Sequence, residues 1–171
     1  MRRTAIAALA AEMIATSFPS LQNRALKVKM VKTDDYVMAV RLGKKTVRLW
    51  VSKADVKRMG RRALAGVLAH ELCHAEEDLQ RQTLTHALVS GPCESATGTG
   101  PSAETVTERR IDAAVIRRGY GRELLAFQKY HDRYYEPYDC ADGMTLNEIE
   151  AAIRDGNESV RVGREPDGQR R

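Results

Sequence analysis

The stretch that decides the fold is Val67-Leu68-Ala69-His70-Glu71-Leu72-Cys73-His74. No proline interrupts it, and its apolar positions continue outward at helical spacing. Leu64, Val67, Leu68, Leu72 and Leu79 form the buried side of a helix expected over residues 61–81. Residues four apart on a helix share a face one turn apart, so His70 and His74 direct their imidazoles at one point. Glu71 is rotated to the side where a water on a bound ion would sit. This spacing arises by chance in roughly 0.7% of chains of this composition, against the plain alternative of two surface histidines and a solvated glutamate. Two imidazoles and a neighbouring carboxylate are two ligands and a base for a divalent ion, and that donor set favours Zn2+.

Working outward, residues 4–14 place Ile6, Leu9, Met13 and Ile14 on one face of a first helix that ends near Phe18-Pro19. Leu26, Val28 and Met30 then alternate with lysines, and residues 36–42 and 46–52 read as two further strands joined by Gly43-Lys44. Ser52 and Asp55 cap a short helix closing at Gly60. Residues 87–102 have the composition of a long exposed loop, a candidate rim or lid. Helices are expected over 103–118 and 122–135, separated by Gly119-Tyr120-Gly121, and a last one opens on a Thr145/Glu148 capping box and stops at Gly156. The expected fold is therefore α+β: a small, mostly antiparallel sheet packed on the helix that carries the motif. Residues 1–156 form one domain, and polar residues 157–171 are expected to be a flexible tail.

Length and composition agree with a single domain. The chain has 171 residues, 43% apolar and 30% charged, and no apolar run approaches a membrane span. Cys73, Cys93 and Cys140 suit neither a disulfide framework nor a four-cysteine zinc site, so a reducing, cytoplasmic setting is expected. A signal peptide at the N-terminus is the alternative; Glu12 breaks its apolar run. The net charge of +5 comes as scattered basic pairs mixed with acids, so no nucleic-acid partner is expected.

A catalytic zinc takes three protein ligands, so a third is sought downstream. Gln80 occupies the position six residues after His74 where one known pattern puts a histidine, and His86 sits where the helix is expected to end. Glu108, with Asp112 four residues on, is the better candidate: one can reach the ion while the other receives the outer N–H of a ligand histidine. Glu104 is the rival ligand. Thr105 and Glu108 also fit a capping box, and Asp112 also fits an ordinary solvated position.

The pair Glu108-x-x-x-Asp112 after His-Glu-x-x-His resembles the signature of gluzincin metallopeptidases. Residues 64–74, then Glu108 to Asp112, then Arg118-Gly119-Tyr120 are similar to the catalytic domain of CAAX prenyl protease-like enzymes, and most of all to their soluble minimal relatives, the minigluzincins. The resemblance covers residues 47–120, with Cys73 where many relatives carry glycine. It implies a zincin-like fold, Glu108 as third zinc ligand, Asp112 as support of a histidine, and peptide hydrolysis with Glu71 as base. It also implies an extended peptide held along the strand 46–52, where Trp50 is a candidate subsite wall against the alternative of packing on the first helix.

The oxyanion donor is sought among His131, Tyr120, Tyr130, Tyr134 and Tyr135, with His131 favoured. The expected substrate is an exposed peptide or unfolded segment. A latent form is a further expectation, with Asp139, Cys140 and Asp142, or residues 165–171, occupying the cleft. Two other functions stay open: an antirepressor-type metalloprotein acting on one protein target, in which the position of Asp112 is more often asparagine, and a non-enzymatic binding module whose metal is structural.

Overall fold

The computed structural model describes residues 2–87, 102–135 and 143–162. Helix α1 (Arg3–Ser17) buries Ile6, Ala10, Met13 and Ile14 and is followed by one tight turn, Pro19–Leu21. Strands β1 (Ala25–Val31), β2 (Met38–Gly43) and β3 (Thr46–Ser52) form one sheet in the order β1-β3-β2. β2 runs antiparallel to β3 and β1 runs parallel to it, so the sheet is mixed rather than mostly antiparallel. Alternation told which side chains share a face, but strand order is set by burial: β3 holds Val47, Leu49 and Val51 with no exposed surface and takes the centre.

Ser52 caps α2 (Lys53–Arg58) by accepting from the Asp55 amide at 3.4 Å. Asp55 is itself buried, and its Oδ1 accepts from Tyr130 Oη at 2.6 Å and Tyr135 Oη at 2.7 Å, pinning α2 to the far end of the chain's fifth helix. Burial alone would raise its pKa, but the bonds from Ser52, Tyr130 and Tyr135 outweigh that and hold the carboxyl below its ordinary 3.8. A depressed folded-state pKa contributes stability that is present above the unfolded value and lost as pH falls through the folded one. Asp55→Asn is expected to cost about 1–3 kcal/mol at neutral pH. Urea midpoints should show the gap to wild type narrowing from about pH 7 to about pH 2; a gap independent of pH would exclude this charge.

Helix α3 (Arg61–Ala87) carries the motif and runs six residues beyond the expected end at 81. It packs along α5 (Gly121–Tyr134) so closely that a Cβ on Gly66 would lie 2.1 Å from the Glu123 carbonyl oxygen, which is why the helix has no side chain there. Between them α4 (Ala103–Val115) starts on Ser102, whose Oγ accepts from the Thr105 amide at 3.0 Å. α4 ends earlier than expected, in a wide turn Ile116–Tyr120 that leads directly into α5. Helix α6 (Leu146–Val162) opens on the expected Thr145/Glu148 capping box, with the Thr145 amide 2.8 Å from Glu148 Oε2. It continues through Gly156, so residues 157–162 of the expected tail are helical, while 163–171 lie outside the described residues.

One apolar core fills the space between the inner sheet face and the helices, with Phe18, Leu21, Leu68, Leu72, Leu124 and Ile149 at its centre. Behind α3, buried Glu76 binds both Ser20 and Arg118, and Arg118 lies over the Phe18 ring at 4.9 Å, tying the end of α1 to the wide turn. Among the described residues no helix is long and apolar enough to cross a membrane.

Candidate metal centre

Helix periodicity places His70 and His74 on the same face of α3, and α4 crosses in front of them. His70 Nε2 and His74 Nε2 are 3.0 Å apart, and Glu108 Oε2 is 3.2 Å from the first and 3.3 Å from the second. Bonds of about 2.0–2.1 Å to a tetrahedral ion require ligand atoms about 3.3 Å apart. The three atoms therefore form a triangle of the size that one face of a zinc tetrahedron needs. Among the described residues this is the one such group of histidine, cysteine and acidic side chains.

Asp112 explains which nitrogen points inward. It is buried beneath His70 and its Oδ1 lies 3.0 Å from His70 Nδ1, so the outer nitrogen donates to a carboxylate and Nε2 presents its lone pair to the centre. Oδ2 accepts from the Met144 amide at 2.9 Å. That segment is itself held, by Arg109 Nη1 on the Gly143 carbonyl at 2.9 Å and Gln128 Nε2 on the Met144 carbonyl at 2.7 Å. Gly143 passes so near that a Cβ would lie 2.7 Å from Asp112 Oδ2, and its φ of 153° suits glycine.

Two imidazole lone pairs and a carboxylate facing one another repel unless a cation or proton lies between them. Burial lowers the pKa of His70, but Asp112 and Glu108 overcome it and push it up to about 10. Burial acts on Glu108 in the opposite sense, and the two histidines overcome it and hold the carboxyl down at about 2. The centre draws positive charge, and its donor set fits a divalent ion. Glu71 is pushed up to about 7, by burial first, with His70 and His74 opposing and the Val40 amide donating to its carboxylate.

The structure also decides between the alternatives left open by the sequence. Ser102, not Thr105, caps α4, so Glu108 is free of a capping box and turns to the histidines. Glu104 is exposed. His131 lines a cleft of about 220 Å³ together with His70, Glu71, Tyr36, Met38 and Phe127. Its ring stacks on Tyr135 at 4.9 Å. The rival tyrosines are engaged elsewhere: Tyr130 and Tyr135 on Asp55, Tyr120 on Ser17 at 2.9 Å, and Tyr134 exposed beneath Arg58 and Arg133.

Two expectations are corrected. Thr46–Ser52 is paired on both sides and has no edge to offer a peptide; the edge that borders the centre is β2, whose Val40 amide already faces Glu71. Trp50 lies on the opposite face of the sheet from Val47, Leu49 and Val51, away from the cleft. The side chain of His86 and residues 139, 140, 142 and 165–171, to which latency was assigned, lie outside the described residues. Sequence reasoning missed the Val40 and Met144 amides, which carry no side-chain signal, and the place of Tyr36 to Met38 in the cleft wall, since these residues read only as the start of a strand.

Comparison of the chain with family models, curated proteins and solved structures finds no match.

Proposed function

We propose that this chain is a zinc-dependent metallopeptidase of the gluzincin kind, hydrolysing peptide bonds in exposed or unfolded segments. The observation that carries the reading is the convergence of His70 Nε2, His74 Nε2 and Glu108 Oε2 within 3.3 Å, with Asp112 fixing the His70 tautomer from behind. A Zn2+ held by His70, His74 and Glu108 would supply Lewis acidity and lower the pKa of a bound water toward ~7. Glu71, raised toward neutrality, takes the proton of the attacking water and returns it to the leaving amine. His131, which lines the same cleft, would donate to the oxyanion as the carbonyl carbon becomes tetrahedral.

In an antiparallel pair, residues alternate between bonding the neighbour strand and facing outward. The Ser52 amide bonds Val37 O at 2.9 Å, so Val37, Ala39 and Arg41 bond inward to β3, and Met38, Val40 and Leu42 turn their backbone groups outward. That outward edge, apart from the Val40 N–H on Glu71, is where an extended substrate would add as a strand. The cleft is lined by Val37, Met38, Val67 and Phe127 together with Asp35, Tyr36 and His131 beside His70 and Glu71, so its wall is mixed polar and apolar.

Purified chain loaded with one equivalent of Zn2+ is expected to cleave unfolded casein, to stop on addition of phenanthroline, and to recover when zinc is restored. A zinc-loaded chain that cleaves neither casein nor a peptide library overturns the proposal.

A further inference from the structure

The outer sheet face is unlike the inner one. Val47, Leu49 and Val51 of β3 point at the helices, so Thr46, Arg48 and Trp50 point away. Register then brings residues distant in sequence into rows: Lys27 of β1, Arg48 of β3 and Arg41 of β2 lie side by side, and the next row is Lys29, Trp50 and Ala39. Lys27, Lys29, Arg41 and Arg48 are all exposed, and Lys44 and Lys45 flank them at the β2–β3 turn, also exposed. None of the three strands contains an acidic residue. These six cations exceed the chain's whole net charge of +5, so the remaining residues are together close to neutral.

We propose that this face binds single-stranded nucleic acid, its phosphates held by Lys27, Lys29, Arg41 and Arg48 and a base stacked on Trp50. The surface is independent of the metal centre. Lysines on edge strands are a common guard against edge pairing, which accounts for β1. It does not account for Arg48, which stands on the central strand with both neighbours paired. Strands lie about 4.8 Å apart, so a registered row of three cations is repulsive unless an anion lies over it. A polyanion with one charge per residue of an extended chain meets that need.

Trp50 selects among polyanions. It is half-buried, its ring makes no stacking or cation–π contact among the described residues, and its neighbour Ala39 is too small to cover it. A partly exposed ring inside a cationic field is the pairing that captures unstacked bases, and neither an acidic peptide nor a duplex backbone uses it. The rigid sheet holds ring and cations in place without ordering a loop.

The test uses the full chain with EDTA present and an oligothymidylate of about 20 nucleotides. Trp50 is the only tryptophan, so its fluorescence reports this face alone. Saturable quenching is expected, and affinity should fall with salt. In Lys27→Gln/Arg41→Gln/Arg48→Gln the log–log salt slope should become shallower by about 2 and binding should weaken. Trp50→Ala should weaken binding about 5- to 150-fold at unchanged salt slope. The neutralised triple variant loses repulsion but no buried contact, so its urea midpoint should equal or exceed that of wild type, which keeps the test open if Trp50→Ala does not fold. Absence of saturable quenching, a salt slope unchanged in the triple variant, or tighter binding of a duplex of the same length overturns the proposal. So does quenching by phosphatidylserine vesicles or polyglutamate in place of the oligonucleotide.

Discussion

Glu71→Gln is expected to lower the rate of casein cleavage by about 10²- to 10⁴-fold, the range contributed by a positioned general base, while zinc binding stays stoichiometric. Glutamine has the same shape, and its amide oxygen still accepts from the Val40 N–H, so the local fold is preserved. What it lacks is a group that can take a proton at neutral pH. The three ligand atoms come from His70, His74 and Glu108, so nothing that would hold the metal is removed. Zinc content and peptidase rate measured on the same preparation therefore separate the two roles. Undiminished cleavage would remove Glu71 from the chemistry and, with it, the reading as a metallopeptidase. Loss of zinc together with activity would make Glu71 a ligand rather than a base.

Glu108→Ala should have the opposite signature: zinc falls well below one equivalent and its affinity drops by more than about 100-fold, the upper range for losing a mere supporting partner of a ligand. Two histidines from one helix then remain, at 3.0 Å separation, with no anion opposite them and no third donor to close the coordination. Glu108 is also the group that, together with Asp112, draws positive charge onto His70, so its removal weakens the field that favours a cation there. Metal analysis after dialysis, with a chromophoric chelator as competitor, reads the effect directly. One-to-one zinc in Glu108→Ala would assign the third ligand elsewhere.

What could be read in advance follows the range of the forces involved. His70, Glu71 and His74 are fixed relative to one another by helix geometry within five residues, and the Thr145/Glu148 box that starts α6 is equally local. Glu108 and Asp112 were legible as a pair on one helix face for the same reason. Which of two local options Glu108 takes was not, because the capping box fails only once Ser102 is seen to hold the first turn of α4. Helix ends slipped wherever no strong breaker stands: α3 runs on to Ala87, and Gly156 is carried inside α6, since glycine in a helix costs only about 1 kcal/mol.

The sheet shows the limit most clearly. Alternation correctly put Val47, Leu49 and Val51 on one face and Arg48 and Trp50 on the other, yet the expected mostly antiparallel sheet has β1 parallel to β3, and the strand expected to hold a peptide, 46–52, is the central one. Strand order depends on which strand gains most by being covered on both sides, a comparison across the whole core that no single stretch contains. The edge presented to a substrate and the position of Trp50 both changed with it. So did the meaning of the charge: scattered basic residues in the chain became a cationic face in the fold.

The sequence by itself determined a helix carrying two imidazoles and a carboxylate on neighbouring faces, with an acidic pair downstream, because helical periodicity acts over one or two turns and needs no partner. The tertiary structure alone decided that Glu108 closes the triangle while Asp112 spans His70 and the Met144 amide, that β2 borders the cleft, and that Lys27, Lys29, Arg41, Arg48 and Trp50 share one surface. Each of those rests on register between segments far apart in the chain, which is set only when the core packs.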